Sequence, residues 1–313
     1  MTSTLHHALG WRKQAAIDLF HRVKWRFKLF FASGKNVTTD KISIIVVGRN
    51  DNYGGDFSLR LRTTMDWNLR HLPGAELIYV EWNPLADRPS DCEWIAARYQ
   101  HARCFKVPAD IHLQIAALPT KMPVMEYFAK NLGIRNATRE YIALVNADVF
   151  LAPDSIQRMK YLDPSTIYGT HYNSIRWDNQ PLSDLHITNP RIITFKFPVK
   201  NDIRAVSGNF ILTHKKNWIA ATGYDERLND VRAGVDSNGV MQLLSFGLKQ
   251  QVLGNHFHLD HPESIVNQSN DTHGSQSIVK YHSNIPYKNN PDWGLISYPV
   301  YQTGNNIWEL QKI

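Results

Sequence analysis

The chain has 313 residues, of which 43% are hydrophobic and 20% charged, and its formal net charge is +7. This length suits one large α/β domain with appendages, or two smaller domains. Two cysteines, Cys92 and Cys104, exclude a disulfide framework and a cysteine zinc cluster, and they favour a reducing compartment. Basic residues interrupt every apolar run near the N-terminus, and no run reaches ~20 residues, so neither a signal peptide nor a transmembrane helix is expected.

The charge is concentrated in an N-terminal arm. Residues 1–35 hold seven Lys and Arg residues and one acidic residue, so the remaining body is close to neutral. A nucleic-acid partner is therefore not expected. Residues 8–31 place apolar side chains at helical spacing with cations between them, which is typical of a basic amphipathic helix on an anionic membrane surface. The same pattern also fits a helix packed on its own domain or on a partner subunit.

Three segments are expected: the helix and a polar linker at 1–40, a main domain at 41–265, and a C-terminal extension at 266–313 that completes the site. In the main domain, the apolar patterns predict strands at 41–47, 77–80, 104–107 and 141–145, with helices at 57–71, at 90–99 and from residue 126 to Gly133. This order predicts an α/β fold with a mostly parallel central sheet and helices on both faces. The loop after the first strand has neither G-x-G-x-x-G nor a Walker lysine.

The most informative stretch is residues 126–153. Its first half predicts a helix that ends at Gly133, and Tyr141 to Val145 is a continuous apolar run that predicts a buried strand. The polarity then changes at Asn146-Ala147-Asp148. An acidic residue at the carboxyl end of a buried strand occupies the place where open α/β sheets bind ligands.

The second half of the chain is less regular. Residues 163–205 are polar without a clear period, and they fit an acceptor-binding insertion or a long connection. A strand follows at 205–213, and a helix at 235–246 carries Asp236 in its first turn. A strand at 250–253 leads into His256-Phe257-His258-Leu259-Asp260-His261-Pro262.

Several of these motifs together resemble family 2-like glycosyltransferases with the GT-A fold. KNLGIRNATREYIALVNADVF resembles the segment in which a helix end precedes a strand and a DxD-type motif, here in the form Asn-Ala-Asp. SGNFILTHKKNWIAATGYDERL and the later HLDHP resemble two further segments of that family, so the match spans roughly residues 42–262. The resemblance implies the nucleotide-diphospho-sugar transferase fold. It also implies an inverting hexosyltransferase that uses a nucleotide-sugar, expected to be a UDP-sugar, and acts on a glycan or lipid-linked acceptor in polysaccharide biosynthesis.

By this resemblance, Asp148 and His258 would bind a divalent metal, Mn²⁺ or Mg²⁺. Carboxylate oxygens suit both ions, and Mn²⁺ also accepts imidazole. Asn146 stands where the motif has its first carboxylate, which places most of the metal binding on Asp148. A turn residue or helix cap is the alternative interpretation of Asp148.

Asp236 is the expected general base, which would take the proton of the acceptor hydroxyl. The residues alone fit a helix N-cap equally well. Val235 stands where the family has a glutamate, so Asp225 and Glu226 remain alternatives.

The resemblance also assigns donor contacts, each with a capping, solvated or structural role as its alternative. The residues are Arg49, Asn50, Glu81, Lys130, Asn131, Asn146 and Trp293. The basic helix at 8–31, with no signal peptide or transmembrane helix expected, predicts a cytoplasmic enzyme held peripherally on the membrane.

Two other functions stay open. His256-x-His258-x-Asp260-His261 is the H-x-H-x-D-H signature of metallo-β-lactamase-type hydrolases, although it lies late in the chain and no αββα pattern surrounds it. Under the glycosyltransferase interpretation, His261 would lie outside the direct metal ligands or face the acceptor. A catalytically silent GT-A-like binding protein is the second alternative, because Asn146 weakens the metal site.

Overall fold

A computed structural model describes residues 37–196, 202–231, 234–262 and 285–312. The chain divides into two compact units, Met1–Val37 and Thr38–Ile313, and the second contains the elements described below. The predicted amphipathic helix at 8–31 lies outside the described residues, so its membrane contact stays a prediction. No helix in the described segments is both long and apolar enough to cross a membrane.

Eleven strands form one mixed sheet, in the order β10-β11-β3-β2-β1-β4-β8-β6-β9-β5, and β7 pairs with β6. The strands are β1 Ile42–Gly48, β2 Glu76–Trp82, β3 Ala102–Val107, β4 Tyr141–Val145, β5 Val149–Leu151, β6 Thr166–Ile175, β7 Ile192–Lys196, β8 Phe210–His214, β9 Lys249–Leu259, β10 Val300–Gly304 and β11 Ile307–Leu310. The block β11-β3-β2-β1-β4 is parallel throughout. Strand β8 runs antiparallel to β4, and β5 runs antiparallel to β9.

The described helices are α1 Phe57–His71, α2 Asp91–Arg98, α3 Ala109–Ile115, α4 Glu126–Asn136, α5 Pro153–Arg158, α6 Leu185–Thr188, α7 Lys215–Ala221 and α8 Val235–Ser245. Helix α4 packs on one face of β1, against Ile45, and the start of α1 packs on the other face, where Phe57 lies beside Gly48. The α/β prediction, with helices on both faces of the sheet, is therefore confirmed.

Gly133 does not end its helix as predicted. It lies inside α4, which continues to Asn136. A Cβ at this position would come within 2.5 Å of Cγ2 of Ile45, so the glycine allows the helix backbone to approach β1 closely. The sequence pattern indicated the right residue type, but the cause is packing and not helix termination.

Strands form in the region predicted as irregular, residues 163–205, and in the C-terminal tail, for which no strand was predicted. All ten residues of β6 are buried, although many are polar, because they pair with β9 along most of its length. The tail contributes β10 and β11, and β11 extends the parallel block beside β3. Polar composition concealed both regions, since neither shows the apolar run or the strict alternation that predicts a strand.

The parallel strands bring three sequence-distant segments to one edge of the sheet. Strands β1, β2 and β4 end there at Gly48, Trp82 and Val145. Strand β8 begins at the same edge, because Phe210 pairs with Val145. The loops that follow these strands therefore surround a common site.

Candidate functional site

Helix α1 holds the turn between β4 and β5. Thr64 Oγ1 donates a hydrogen bond to the carbonyl of Ala147 at 2.5 Å. Asn68 donates to the carbonyl of Val149 and accepts from the backbone N–H of Leu151, each at 2.9 Å. These buried contacts fix the backbone on both sides of Asp148, so its carboxylate is presented by a rigid turn.

Asp148 faces two histidines from the end of β9. Its Oδ2 lies 3.4 Å from Nε2 of His258 and 3.2 Å from Nε2 of His261. One ligand atom from each of the three buried residues can be chosen so that all lie within 4.8 Å of one another. Pairing of Val149 with His258, and a hydrogen bond from the N–H of Leu259 to the carbonyl of Asp148, connect the two segments.

This arrangement, called the carboxylate–histidine cluster below, fits a divalent cation. Two ligand atoms about 2.1 Å from an ion at right or tetrahedral angles lie about 3.0–3.4 Å apart. Both separations from Asp148 Oδ2 fall in this range. A mixed set of one carboxylate and two imidazoles suits Mn²⁺, Zn²⁺ and similar ions better than Mg²⁺, which prefers oxygen alone.

The electrostatics of Asp148 also favour its charged form. Burial alone would raise the pKa of this carboxyl, but the interactions with His258 and His261 outweigh burial and hold the pKa well below its usual range. The carboxylate is therefore ionised at neutral pH, the form that a metal needs.

Other contacts orient the two imidazoles. Nδ1 of His258 lies 3.4 Å from Ser174 Oγ and 3.5 Å from the hydroxyl of Tyr172, and Nε2 faces Asp148. His261 packs edge-on against the ring of Tyr53, with ring centroids 5.1 Å apart. Gly54, next to Tyr53, has a φ of +61° and lies so close to His261 that a Cβ there would overlap the imidazole. The loop after β1 thus forms one wall of the cluster.

The H-x-H-x-D-H letters do not converge on one point. His256 Nδ1 lies 2.6 Å from Thr170 Oγ1, and burial together with the neighbouring His258 lowers the pKa of His256 to about 3. Asp260 accepts a hydrogen bond from Ser174 Oγ at 3.2 Å. Among the described residues, the cluster therefore takes His258 and His261 from this motif and its carboxylate from the turn between β4 and β5.

His261 is the residue that sequence reasoning placed outside the direct ligands. It follows the end of β9 by two positions, so strand alternation could not place its side chain. The HLDHP segment contained the signal, but the choice between its histidines needed the path of the chain after Leu259.

Asp236 lies in the first turn of α8, but it is not the N-cap. Gly234 takes the cap position. Asp236 Oδ1 instead accepts a hydrogen bond from Lys130 Nζ at 2.9 Å, and Lys130 also forms an ion pair with Glu126 at 2.6 Å. Burial raises the pKa of Asp236 to about 6, against the opposing effect of Lys130.

The start of β8 connects Asp236 to the turn that carries Asp148. The backbone N–H of Asn146 donates to the carbonyl of Asn209 at 3.1 Å. A Cβ on the preceding Gly208 would lie 3.5 Å from Oδ2 of Asp236. Asp236 and the Asn146–Asp148 turn therefore both lie near one short backbone segment, Gly208-Asn209.

Three residues predicted to bind the donor near β1 and β2 have partners within the protein. Arg49 donates through Nε to the carbonyl of Asn83 at 2.7 Å. Asn50 is buried and donates to the carbonyls of Leu85, Arg88 and Pro89. Glu81 lies inside β2, not at its end, and accepts from Ser90 Oγ at 2.5 Å and the N–H of Asp91 at 2.7 Å. Their roles as donor ligands stay predictions.

Asn131 and Trp293 both pack against Gly223, in the turn after α7. Asn131 is fully buried and bonds both the N–H and the carbonyl of Tyr224, as well as Glu226. The Trp293 ring is buried, with the Arg135 guanidinium 4.8 Å from its centroid. These contacts supply structural roles for both residues, and their predicted contact with the donor stays a prediction.

The two alternative bases have their own partners. Asp225 forms an ion pair with Arg227 at 2.6 Å. Glu226 accepts hydrogen bonds from Asn131 and from the N–H of Gly294, and burial raises its pKa. Both carboxylates hold the turn after α7 together, which leaves Asp236 as the stronger candidate.

Comparisons with known proteins give a distant likeness. No protein-family model matches the chain, and no curated protein matches it. One similar solved structure is the mannosyltransferase PcManGT from Pyrobaculum calidifontis in complex with GDP-Man and Mn²⁺, with 15% identity, a TM-score of 0.45, and coverage of 77% of this chain and 64% of that chain. Another is TarS 1–349 of S. aureus, with 11% identity, a TM-score of 0.43, and coverage of 70% and 60%. The chain thus spans less than two thirds of either protein, and TM-scores below 0.5 do not identify a function.

Proposed function

We propose that this protein is a metal-dependent, inverting glycosyltransferase of the GT-A type, with a UDP-sugar as donor and a glycan or lipid-linked glycan as acceptor. The observation that carries the proposal is the pairing of two sites at one sheet edge. A carboxylate–histidine cluster fit for a divalent cation takes its carboxylate from the turn that Asn146 bonds to Asn209, just before β8. A separate carboxylate, Asp236, lies near the preceding Gly208. Sugar transfer from a nucleoside diphosphate needs both functions.

Asp148, His258 and His261 would hold the metal. When bound, a divalent cation neutralises the negative charge that develops on the diphosphate leaving group. The ion pairs and hydrogen bonds around the cluster keep these three side chains oriented before the donor arrives. A second carboxylate in place of Asn146 is not needed for this coordination, since two imidazoles supply the remaining protein ligands.

Asp236 would act on the acceptor. Because burial raises the pKa of Asp236 to about 6, the carboxylate is ionised at neutral pH and is still basic enough to accept a proton. The acceptor oxygen attacks the anomeric carbon, the bond from that carbon to the phosphate oxygen breaks, and the electron pair leaves with the nucleoside diphosphate. The hydroxyl proton passes to Asp236. One such displacement inverts the configuration at the anomeric carbon.

The direct test is release of UDP from a panel of UDP-sugars in the presence of Mn²⁺ and octyl glycosides as acceptors. The wild-type protein should release UDP and form a glycosylated product, and Asp148→Ala should lose both. Replacement of the exposed Asp178 by alanine is the matched control and should change neither. Wild-type protein without turnover on any donor would overturn the proposal.

Two other results would favour the alternatives. Tight, stoichiometric zinc in the purified protein, with hydrolase activity and no sugar transfer, would indicate the hydrolase. Donor binding without turnover on any acceptor would indicate a catalytically silent binding protein.

We further propose that residues 8–31 hold the enzyme on the cytoplasmic face of a membrane, where lipid-linked acceptors are available. The basis is the arrangement of cations and apolar residues in the sequence. The full chain should sediment with phosphatidylserine-containing liposomes and not with pure phosphatidylcholine liposomes. Deletion of residues 1–35 should abolish this binding, and unchanged binding would contradict the proposal.

A further inference from the structure

The two oxygens of Asp236 have different surroundings. Oδ1 accepts the hydrogen bond from Lys130 at 2.9 Å. Lys130 is 3% exposed, and its second carboxylate partner, Glu126, lies one turn earlier on the same helix. Lys130 is thus held in place by α4 and fixes one oxygen of Asp236. The second oxygen, Oδ2, lies towards Gly208, two residues before β8.

Gly208 has no conformational reason to be glycine. Its φ lies outside the left-handed region in which other residues are strained. It has no packing reason either. Within the described part of the chain, Oδ2 of Asp236 is the one heavy atom beyond its chain neighbours that a Cβ would meet within 4 Å, and the distance of 3.5 Å is an ordinary contact. At Gly133, by contrast, a Cβ would overlap Ile45. Among the described residues, the space over Gly208 beside Oδ2 is therefore open.

This open space lies next to the turn of the carboxylate–histidine cluster. Asn209 follows Gly208, and its carbonyl accepts the hydrogen bond from the N–H of Asn146. A group placed over Gly208 would contact Oδ2, and the residue that follows Gly208 is hydrogen-bonded to the Asn146–Asp148 turn. In the reaction, the acceptor hydroxyl has to lie between the general base and the reacting carbon of the donor.

We propose that the space over Gly208 receives the acceptor hydroxyl, that Oδ2 of Asp236 takes its proton, and that Lys130 is the positioning residue that directs this oxygen towards it. This inference rests on the proposed function. The proton moves from the acceptor oxygen to Oδ2 while that oxygen forms its bond to the anomeric carbon and the phosphate oxygen leaves with the bonding electrons. Gly208 would then determine acceptor access, because any side chain there fills the space beside the base.

Gly208→Ala tests the proposal, with UDP-sugars, Mn²⁺ and the octyl glycoside that gives the highest wild-type rate. We expect transfer to fall by about 10- to 100-fold, with a higher KM for the acceptor, because the added methyl group displaces the hydroxyl by an ångström or more. UDP affinity, measured by calorimetry with Mn²⁺, and the melting temperature should stay at wild-type values. Gly304→Ala on β10 is the matched control, since that glycine also lies outside the left-handed region and its Cβ would meet Ile307 at 3.4 Å.

Wild-type transfer kinetics in Gly208→Ala would overturn the inference and leave the proposed function standing. Absence of turnover in the wild-type protein would overturn both. Loss of UDP affinity in Gly208→Ala would also contradict the inference, because it would place Gly208 at the donor.

Lys130 is tested separately by the dependence of kcat on pH. Among the described residues, the charged or titratable groups that interact with Asp236 are Lys130, Glu126, Tyr127 and Tyr224. Lys130 lowers the pKa of Asp236, so Lys130→Met should move the acid limb of the kcat profile to higher pH. Lys130→Arg keeps the positive charge and should return the acid limb most of the way to its wild-type position. Equal losses in both variants with an unmoved acid limb would show a merely structural role.

Discussion

Asp148 and Asp236 are two largely buried carboxylates near the segment that precedes β8, and their surroundings act on them in opposite directions. Asp148 faces two imidazoles, which hold its pKa well below the usual range despite burial. Asp236 faces one ammonium, and burial raises its pKa to about 6. The difference lies in the neighbours and not in the carboxyl group itself. One carboxylate is prepared to hold a cation, and the other to accept a proton.

The sharing of Lys130 explains why Asp236 differs. The Lys130 ammonium lies between Asp236 and Glu126, so its single positive charge serves two carboxylates. Glu126 raises the pKa of Asp236, while Lys130 lowers it. In the carboxylate–histidine cluster, as far as the chain is described, Asp148 is the one carboxylate beside two imidazoles. Substitutions around Asp148 and around Asp236 should therefore have separable effects on metal binding and on the pH dependence of kcat.

The largest effect is expected from Asp148→Asn. The amide keeps the shape of the side chain but removes the negative charge that a metal requires, so turnover should fall by about 10³-fold or more. Binding of Mn²⁺, followed by electron paramagnetic resonance, should be lost in the same variant. Retained Mn²⁺ binding would contradict the assignment of Asp148 as a ligand.

Asp236→Asn should lower kcat by about 10²- to 10³-fold, the range for loss of a general base. It should leave Mn²⁺ and UDP binding unchanged, since Asp236 lies outside the carboxylate–histidine cluster. The contrast with Asp148→Asn is the check. If UDP affinity fell in parallel with kcat, Asp236 would belong to the donor site.

Ser174→Ala should weaken Mn²⁺ binding by about 10-fold, because Ser174 Oγ lies 3.4 Å from Nδ1 of His258 and helps to orient the ring. Titration of Mn²⁺ into the variant measures the change. Ser165→Ala, an exposed serine that contacts Asp163, serves as the control. Equal Mn²⁺ affinity in Ser174→Ala and wild type would exclude this orienting role.

The smallest effect is expected from Glu126→Gln. Loss of the negative charge lowers the pKa of Asp236, so the carboxylate stays ionised to lower pH and the acid limb of the kcat profile moves downwards from about pH 6. The shift is opposite in sign to that expected for Lys130→Met. A kcat profile measured from pH 5 to 8 distinguishes the two, and an upward shift in Glu126→Gln would contradict the shared-charge explanation.

Helices and strands that depend on local apolar patterns could be predicted from the sequence. The strand at Tyr141–Val145 and the helix at Phe57–His71 have the predicted bounds, and Asp148 and His258 lie together as expected. The sequence could not predict β6, whose polar side chains are buried by pairing with β9. Burial of a polar strand depends on partners that lie far away in the chain.

The predicted donor residues show a second limit. Asn50, Glu81 and Asn131 are buried and hydrogen-bonded to distant backbone groups. A short motif reports which residue types are present, but it does not report which partner each side chain has found. His261 is the opposite case: it was not predicted as a ligand, yet it lies beside Asp148, because the turn after β9 brings it there.

The pairing of β5 with β9 has a consequence for folding. His261 and Asp148 are 113 positions apart in the chain, and the strand ladder beside them joins equally distant segments. Contacts of such long range form slowly, because a large chain loop must close before they contribute stability. The carboxylate–histidine cluster should therefore appear late in refolding, and recovery of Mn²⁺ binding should lag behind recovery of helical circular dichroism. The ion would thus act as a reporter of the completed fold.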